Sequence, residues 1–187
     1  TGGGPIRDGN GPGQLNVTTG GGALSAFAGI GGIDLDTQVG VVYFIVDSGK
    51  SLGDAKFRNS GFNLGLLGGS PSQTDNGSIF ISNTFNGDFT ANDSLIANGT
   101  GKNITIIAEG PNADVAVSAN PFAKMVALGD RINITAGGFI YDSDTPTMLE
   151  PTNFAASVIT MVAGQGIGTK AASDPVNDPI DMDADVF

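Results

Sequence analysis

The chain has no cysteine, no histidine and no tryptophan among its 187 residues. Without cysteine it cannot form disulfides, thiolate zinc sites or iron–sulfur clusters, and it has no thiol nucleophile. Without histidine it lacks the commonest general base and most transition-metal chemistry. Most redox and transition-metal functions are therefore excluded by composition.

Positive charge is also scarce. Lysine and arginine together number 8 against 19 acidic residues, which gives a net charge of −11. Nucleic acids and anionic membranes are bound through clusters of Lys and Arg, so we expect neither as a partner. No apolar run reaches the roughly 18 residues of a membrane-spanning helix, so we expect no membrane span.

Few residues suggest catalysis. Glu109 and Glu150 are the only glutamates, and neither has a sequence context typical of a glycosidase acid pair. No S-x-x-K or GxxxxGK[ST] motif is present, so nucleophilic catalysis and a P-loop are not indicated. We therefore expect that the protein is not an enzyme.

What the chain does have is glycine, at 30 positions, and many short apolar segments separated by turn residues. Residues 39–46 (VGVVYFIV) are typical of a strand buried on both faces, and 132–135 (INIT) alternate cleanly. Gly137-Gly138 is typical of a hairpin turn.

No repeat of fixed period is found, so a solenoid is not expected. We predict an all-β protein with one β-sandwich or jelly-roll-like domain at 19–170. An extended leader (1–18) precedes it, and an acidic extended tail (171–187) follows.

Asparagine occurs repeatedly as Asn-x-Ser/Thr, and three of these sequons lie within 92–105. We predict N-glycosylation of a secreted chain, and the TGGGP start fits a processed N-terminus. A chain rich in Asn, Ser and Thr also produces sequons by chance. The candidate acceptors are Asn16, Asn76, Asn92, Asn98, Asn103 and Asn133.

Aspartates at alternate positions are candidate Ca²⁺ ligands, because carboxylates at i and i+2 of an extended chain project to one face. The alternative is that they are loop aspartates that cap turns. The candidates are Asp34 and Asp36, Asp142 and Asp144, and the tail residues Asp178, Asp181, Asp183 and Asp185. Ca²⁺ is the only cofactor that these patterns suggest.

The leader and the tail suggest a structural role. We predict a subunit of an extracellular filament, tubule or surface assembly that polymerises with itself by strand exchange. The candidate donor strand is Gln14, Leu15, Asn16, Val17 and Thr18. Two alternatives stay open, a viral capsid or decoration protein and a secreted carbohydrate-binding or adhesion module. The absence of Trp and the position of Tyr43 in an apolar run weaken the carbohydrate-binding alternative.

The TGGGP start, the LNVTT segment, the sequon-rich 92–105 region and the cysteine-free β-core give an overall plan that resembles two families. One is the TasA-related β-sandwich matrix-filament subunits, including archaeal bundling-pilus proteins. The other is the archaeal cannula (extracellular tubule) proteins. The resemblance implies a secreted chain, a jelly-roll-like core and subunits joined by strand exchange. For cannulae it also implies Ca²⁺-assisted assembly.

Overall fold

The computed structural model describes residues 3–11, 13–49, 51–117, 123–143, 152–168, 180 and 182–184. In this part of the chain the secondary structure consists of strands, and no helix is present. The strands are, in chain order, β1 (Val17–Thr18), β2 (Ala23–Ala28), β3 (Ile33–Gln38), β4 (Val41–Val46), β5 (Ala55–Ser60), β6 (Leu64–Leu66), β7 (Ser72–Thr74), β8 (Ile79–Thr84), β9 (Phe89–Thr90), β10 (Leu95–Ala97), β11 (Ile104–Ala108), β12 (Val115–Ala116), β13 (Met125–Ala136), β14 (Phe139–Tyr141), β15 (Phe154–Ala163), β16 (Gly166–Ile167) and β17 (Met182–Ala184).

The strands wind into three parallel stacks. Face A runs β1, β3, β5, β8, β11 and then the C-terminal parts of β13 and β15. Face B runs β2, β4, β6, β9, β12, β14 and β16. Face C branches from β4 and runs β7, β10, the N-terminal parts of β13 and β15, and β17. The described chain is therefore a parallel β-solenoid of about 5 turns.

The predicted β-sandwich is wrong, and so is the expectation that the chain is not a solenoid. A sandwich pairs strands that are close in sequence and antiparallel, whereas each strand here pairs in parallel with one a full turn away. The sequence separation of two paired residues gives the length of one turn. It is 20, 22, 25 and 28 residues for the pairs Val17–Thr37, Ile33–Ala55, Ile79–Ile104 and Ile104–Ile132. Because the turn length drifts, a search for one fixed period finds nothing.

The interior consists of apolar side chains stacked from turn to turn. On face A the register aligns two inward rows, and both are buried except at the last turn, where the side chains are half-buried. The rows are Ile33, Ala55, Ile79, Ile104, Ile132 and Ile159, and Leu35, Phe57, Ile81, Ile106, Ile134 and Met161. Burying such a side chain contributes about 1.5–3 kcal/mol.

β4 is not buried on both faces as predicted, because its burial alternates and Tyr43 faces outward against Phe27.

A polar stack lies at the corner that follows face A. Thr37, Asn59 and Asn83 occupy the same inward position on successive turns, and all three are buried. Asn59 Nδ2 donates to Asn83 Oδ1 at 3.1 Å, and Thr37 Oγ1 donates to Asn59 Oδ1 at 3.0 Å. These bonds link one turn to the next inside the solenoid, where an unpaired amide is costly.

The leader is part of the solenoid. Ile6 forms a bridge with Ile33, and β1 pairs with β3 of the same chain, so the predicted donor strand is wrong where it covers Val17 and Thr18. Strand exchange is therefore not supported as the means of assembly. Within the tail, β17 continues face C by pairing with β15. Residues 169–179 and 185–187 lie outside the described part.

Candidate functional site

An open groove of about 530 Å³ lies on the outer side of face A. The register aligns the outward residues of β5 with those of β8, so Lys56 lies beside Phe80, Arg58 beside Ser82 and Ser60 beside Thr84. The complete lining is Gly13, Leu15, Asp36, Lys56, Arg58, Asn59, Ser60, Phe80, Ser82, Thr84, Phe85 and Glu109. We refer to this site as groove A.

The floor of groove A is recessed. Asp36 and Ser82 belong to the central outward row, yet they are only 4% and 5% exposed. The leader covers Asp36, since the Gly13 amide donates to Asp36 Oδ2 at 2.8 Å and Asn16 Oδ1 accepts from the Asp36 amide at 2.8 Å. Gly13 and Leu15 thus form a wall that rises above the sheet.

Phe85 stands at the opposite rim and is 80% exposed, the most of any large hydrophobic residue that the structure describes. Its φ is 63° and that of Asn86 is 61°, so two consecutive residues other than glycine adopt the left-handed region. This conformation costs about 1–3 kcal/mol for a residue such as Phe. The Asn86 amide donates to the Glu109 carbonyl at 3.0 Å and holds this turn beside Glu109. An exposed ring on a strained backbone beside a groove is the combination expected of a binding site rather than of a core position.

The charges in groove A are of both signs. Arg58 makes ion pairs with Asp36 and with Asp34 Oδ1 (2.7 Å), and its Nη2 lies 3.7 Å from Asp8 Oδ2. Arg58 is the only partner that the structure gives to Asp34 Oδ1. Lys56 Nζ lies 5.8 Å from the Phe80 ring centroid, within the range of a cation–π contact. Lys56 and Glu109 are the charged lining residues that make no ion pair with another described residue.

The pKa values of two groups follow from this cluster. The hydrogen bond from Asn16 is the main cause that lowers the pKa of Asp8, with a smaller effect of the same sign from Arg58. Burial acts to lower the pKa of Arg58, but its contacts with Asp34 and Asp36 outweigh burial and raise that pKa. Both shifts favour the charged forms, so Asp8 and Arg58 are charged at neutral pH.

The candidate Ca²⁺ ligands are not brought together. The described residues contain no group of three or more side chains that could hold a metal ion. Asp34 and Asp36 both contact Arg58, whose single positive charge offsets part of their negative charge. Asp142 directly follows β14 and has an interaction partner in the structure. For Asp183 the structure describes only the backbone position within β17. Asp144, Asp178, Asp181 and Asp185 lie outside the described residues, so Ca²⁺ binding stays a prediction.

The candidate glycan acceptors differ in exposure. Asn98 is exposed, whereas Asn16, Asn76, Asn92, Asn103 and Asn133 are half-buried. Several take part in bonds of the solenoid. Asn92 Nδ2 donates to the Leu66 carbonyl at 3.1 Å, and Asn103 Oδ1 accepts from the Arg131 amide at 3.2 Å. Glycosylation itself stays a prediction, and Asn98 is the position that could best accommodate it.

Sequence reasoning did not identify groove A. Glu109 was noticed only as one of two glutamates, and Lys56, Arg58 and Phe85 carried no motif. The one local signal is the Phe85-Asn86-Gly87 triplet, in which a large aromatic residue occupies a turn. The neighbours in the groove lie 20 to 30 residues apart, and the parallel register alone brings them together.

Comparison of the chain with known protein families, with characterised proteins and with solved structures finds no match. The resemblance to filament and cannula subunits is therefore untested by these comparisons. Within the described residues no helix could span a membrane.

Proposed function

We propose that this chain is a carbohydrate-binding module that holds an extended, neutral polysaccharide in groove A. The observation that carries the proposal is Phe85, an exposed ring on a left-handed backbone at the rim of the groove. An aromatic face packs against the C–H face of a sugar ring, while hydroxyl and carboxylate groups bind its hydroxyls. An extracellular location, expected from the sequence, is part of the proposal.

The direction of groove A favours an extended ligand. Apart from Gly13, Leu15 and Phe85, its lining residues come from β3, β5, β8 and the residue that follows β11, which belong to four successive turns of face A. Neighbouring strands lie about 4.8 Å apart, so three steps cover roughly 14 Å along the solenoid axis. A chain of a few sugar units matches this length.

The chemistry of groove A favours a neutral sugar polymer over a peptide or a polyanion. The groove is built from outward side chains of paired strands, so it offers no free strand edge for β-augmentation by a peptide. The net charge of −11 repels polyanions. The lining of the groove carries two positive charges, Lys56 and Arg58, and two negative charges, Asp36 and Glu109.

Phe85→Ala is expected to weaken polysaccharide binding about tenfold without affecting the fold. Burying one face of the ring removes roughly 55 Å² from water, which contributes about 1.4 kcal/mol at ~25 cal/mol per Å². The measurement is affinity gel electrophoresis of both proteins in hydroxyethylcellulose, xyloglucan, mannan and dextran. Polygalacturonate serves as the polyanionic comparison.

The matched control is Phe62→Ala, which removes a partly exposed ring (37%) at the preceding corner and outside the groove lining. We expect this control to migrate like the wild type in every gel. If no neutral polysaccharide retards the wild-type protein, or if Phe85→Ala is retarded as strongly as the wild type, the proposal is wrong.

A second candidate is the structural subunit of a surface assembly, formed by end-to-end contact without strand exchange. It is favoured by the last turn of face A, where the inward residues Ile159, Met161 and Ala163 remain half-buried. Among the described strands, none pairs with residues 158–163 on the side away from β13.

For this second candidate we expect sedimentation velocity to show association that increases with protein concentration. Met161→Lys, which places a charge on the inward row, is expected to abolish it. The control Val158→Lys changes an exposed outward residue of the same strand and is expected to leave association intact. A monomer at all concentrations excludes this candidate for the isolated chain.

A further inference from the structure

We propose that Arg58 is a positioning residue that latches the N-terminal loop, described at residues 7–11 and 13–16, onto face A as one wall of groove A. The consequence for ligand binding rests on the proposed function, but the latch itself can be measured without a ligand. The loop would then set the width of the groove. Arg58 would control this width by holding the loop in place, in addition to any direct contact with the ligand.

The register shows that the loop leaves the sheet and returns. Ile6 pairs with Ile33, and Val17 pairs with Thr37. Between these two pairs the N-terminal segment has ten residues, whereas β3 has only three, residues 34–36. The surplus chain must rise from the face. Two of its residues, Gly13 and Leu15, line groove A.

The loop has few backbone bonds to the rest of the solenoid. Between the two pairs, the Asn16 amide donates to the Asp36 carbonyl at 2.7 Å, and the Gln14 amide donates within the loop to Gly11 at 3.4 Å. Leu15 is 42% exposed, so apolar burial anchors the loop only weakly. The position of the loop therefore depends on side-chain contacts.

Those contacts converge on one cluster. On the loop side, Asn16 Nδ2 donates to Asp8 Oδ1 at 3.0 Å, and the Gly13 amide donates to Asp36 Oδ2. On the sheet side, Arg58 contacts Asp34 and Asp36 of β3 and also reaches Asp8 of the loop. Arg58 is the cation that these three carboxylates share.

Removing the Arg58 charge changes attraction into repulsion. Asp8, Asp34 and Asp36 would then face one another with no cation between them, and like charges this close repel. The other cations nearby are Arg7 and Lys56, which line a neighbouring cavity of about 360 Å³ with Asp8, Asp34 and Asp54. Neither makes an ion pair with the cluster. The loop is the part that can move, because residues 34–36 of β3 are paired with β5, whereas the loop is flanked by pairs with β3 only at its two ends.

The test compares Arg58→Gln, Arg58→Lys and the control Arg131→Gln. The control makes the same substitution at an exposed arginine for which the described contacts show no ion pair. Hydrogen exchange of the amides in residues 7–18 is measured at neutral pH. We expect exchange at Gly13 to accelerate about tenfold or more in Arg58→Gln and less in Arg58→Lys, while β8 and β11 stay protected.

The second readout is retardation by a neutral polysaccharide that binds the wild type. We expect Arg58→Gln to weaken it about tenfold and Arg58→Lys to restore part of it. Unchanged loop exchange in Arg58→Gln overturns the latch. Accelerated exchange with unchanged affinity overturns the role of the loop as a wall. If no polysaccharide binds the wild type, the proposed function fails and the exchange data still decide the latch.

A second variant covers the case in which Arg58→Gln does not fold. Asp8→Asn removes the charge of the loop partner of Arg58, keeps an oxygen that can accept from Asn16, and leaves the contacts of Arg58 with Asp34 and Asp36 in place. We expect the same accelerated exchange at Gly13, with the rest of the solenoid unchanged. Unaltered exchange in this folded variant also overturns the latch.

Discussion

Replacing Asn59 by alanine is expected to lower the free energy of unfolding by about 3–5 kcal/mol. The side chain is 1% exposed and connects three turns of the corner. Its Oδ1 accepts from Thr37 Oγ1 (3.0 Å) and the Val39 amide (2.9 Å), and its Nδ2 donates to the Val39 carbonyl (3.1 Å) and Asn83 Oδ1 (3.1 Å). Alanine leaves these buried groups unpaired at about 1–3 kcal/mol each, and partial relaxation keeps the total below their sum.

Urea unfolding followed by far-ultraviolet circular dichroism measures this loss as a shift in midpoint with an unchanged slope. The control Ser60→Ala changes the adjacent outward residue and is expected to stay within about 0.5 kcal/mol of the wild type. A loss below about 1 kcal/mol for Asn59→Ala would mean that the polar stack does not hold the corner together.

Gly137→Ala is expected to destabilise the solenoid by about 3 kcal/mol or more. A Cβ at this position would lie 1.7 Å from the Gly110 carbonyl oxygen of the preceding turn, and one at Gly164 would lie 2.2 Å from the Gly137 carbonyl oxygen. The atoms in the way are backbone, so relief requires the turns to separate. That separation strains the bond from the Gly137 amide to the Ala108 carbonyl, which is 3.1 Å long.

The control for this change is Gly9→Ala, because a Cβ there meets nothing within 4 Å and the backbone is not left-handed. We expect Gly9→Ala to remain within about 0.5 kcal/mol of the wild type in the same urea titration. If both variants unfold at the same midpoint, close approach of the backbones at this corner is not what selects glycine.

Gly137-Gly138 also shows how far local sequence reasoning reaches. The pair was expected to be a hairpin turn, and the chain does change direction there. However, β13 and β14 do not pair with each other: β14 pairs with β12 and β16. The glycines permit close stacking of successive turns, a constraint that involves Gly110 and cannot be seen in residues 131–141 alone.

The abundance of Asn, Asp and Ser acquires a structural explanation in the same way. At the corner before face A, the Ser78 amide donates to Asp54 Oδ1, the Asn103 amide to Ser78 Oγ and the Arg131 amide to Asn103 Oδ1. Each short polar side chain caps the backbone of a neighbouring turn. One candidate glycan acceptor, Asn103, thus takes part in a series of bonds between turns.

The sequence by itself determined the all-β class and the inward side of residues 132–135 in β13, because alternation of apolar residues depends only on the pleat of one strand. It also determined the chemistry that the absence of Cys and His excludes. The tertiary structure alone decided the parallel pairing, the loop wall and groove A. These depend on which strands become neighbours, and strands 20 to 28 residues apart are selected by corner geometry and side-chain stacking rather than by the pattern within either strand.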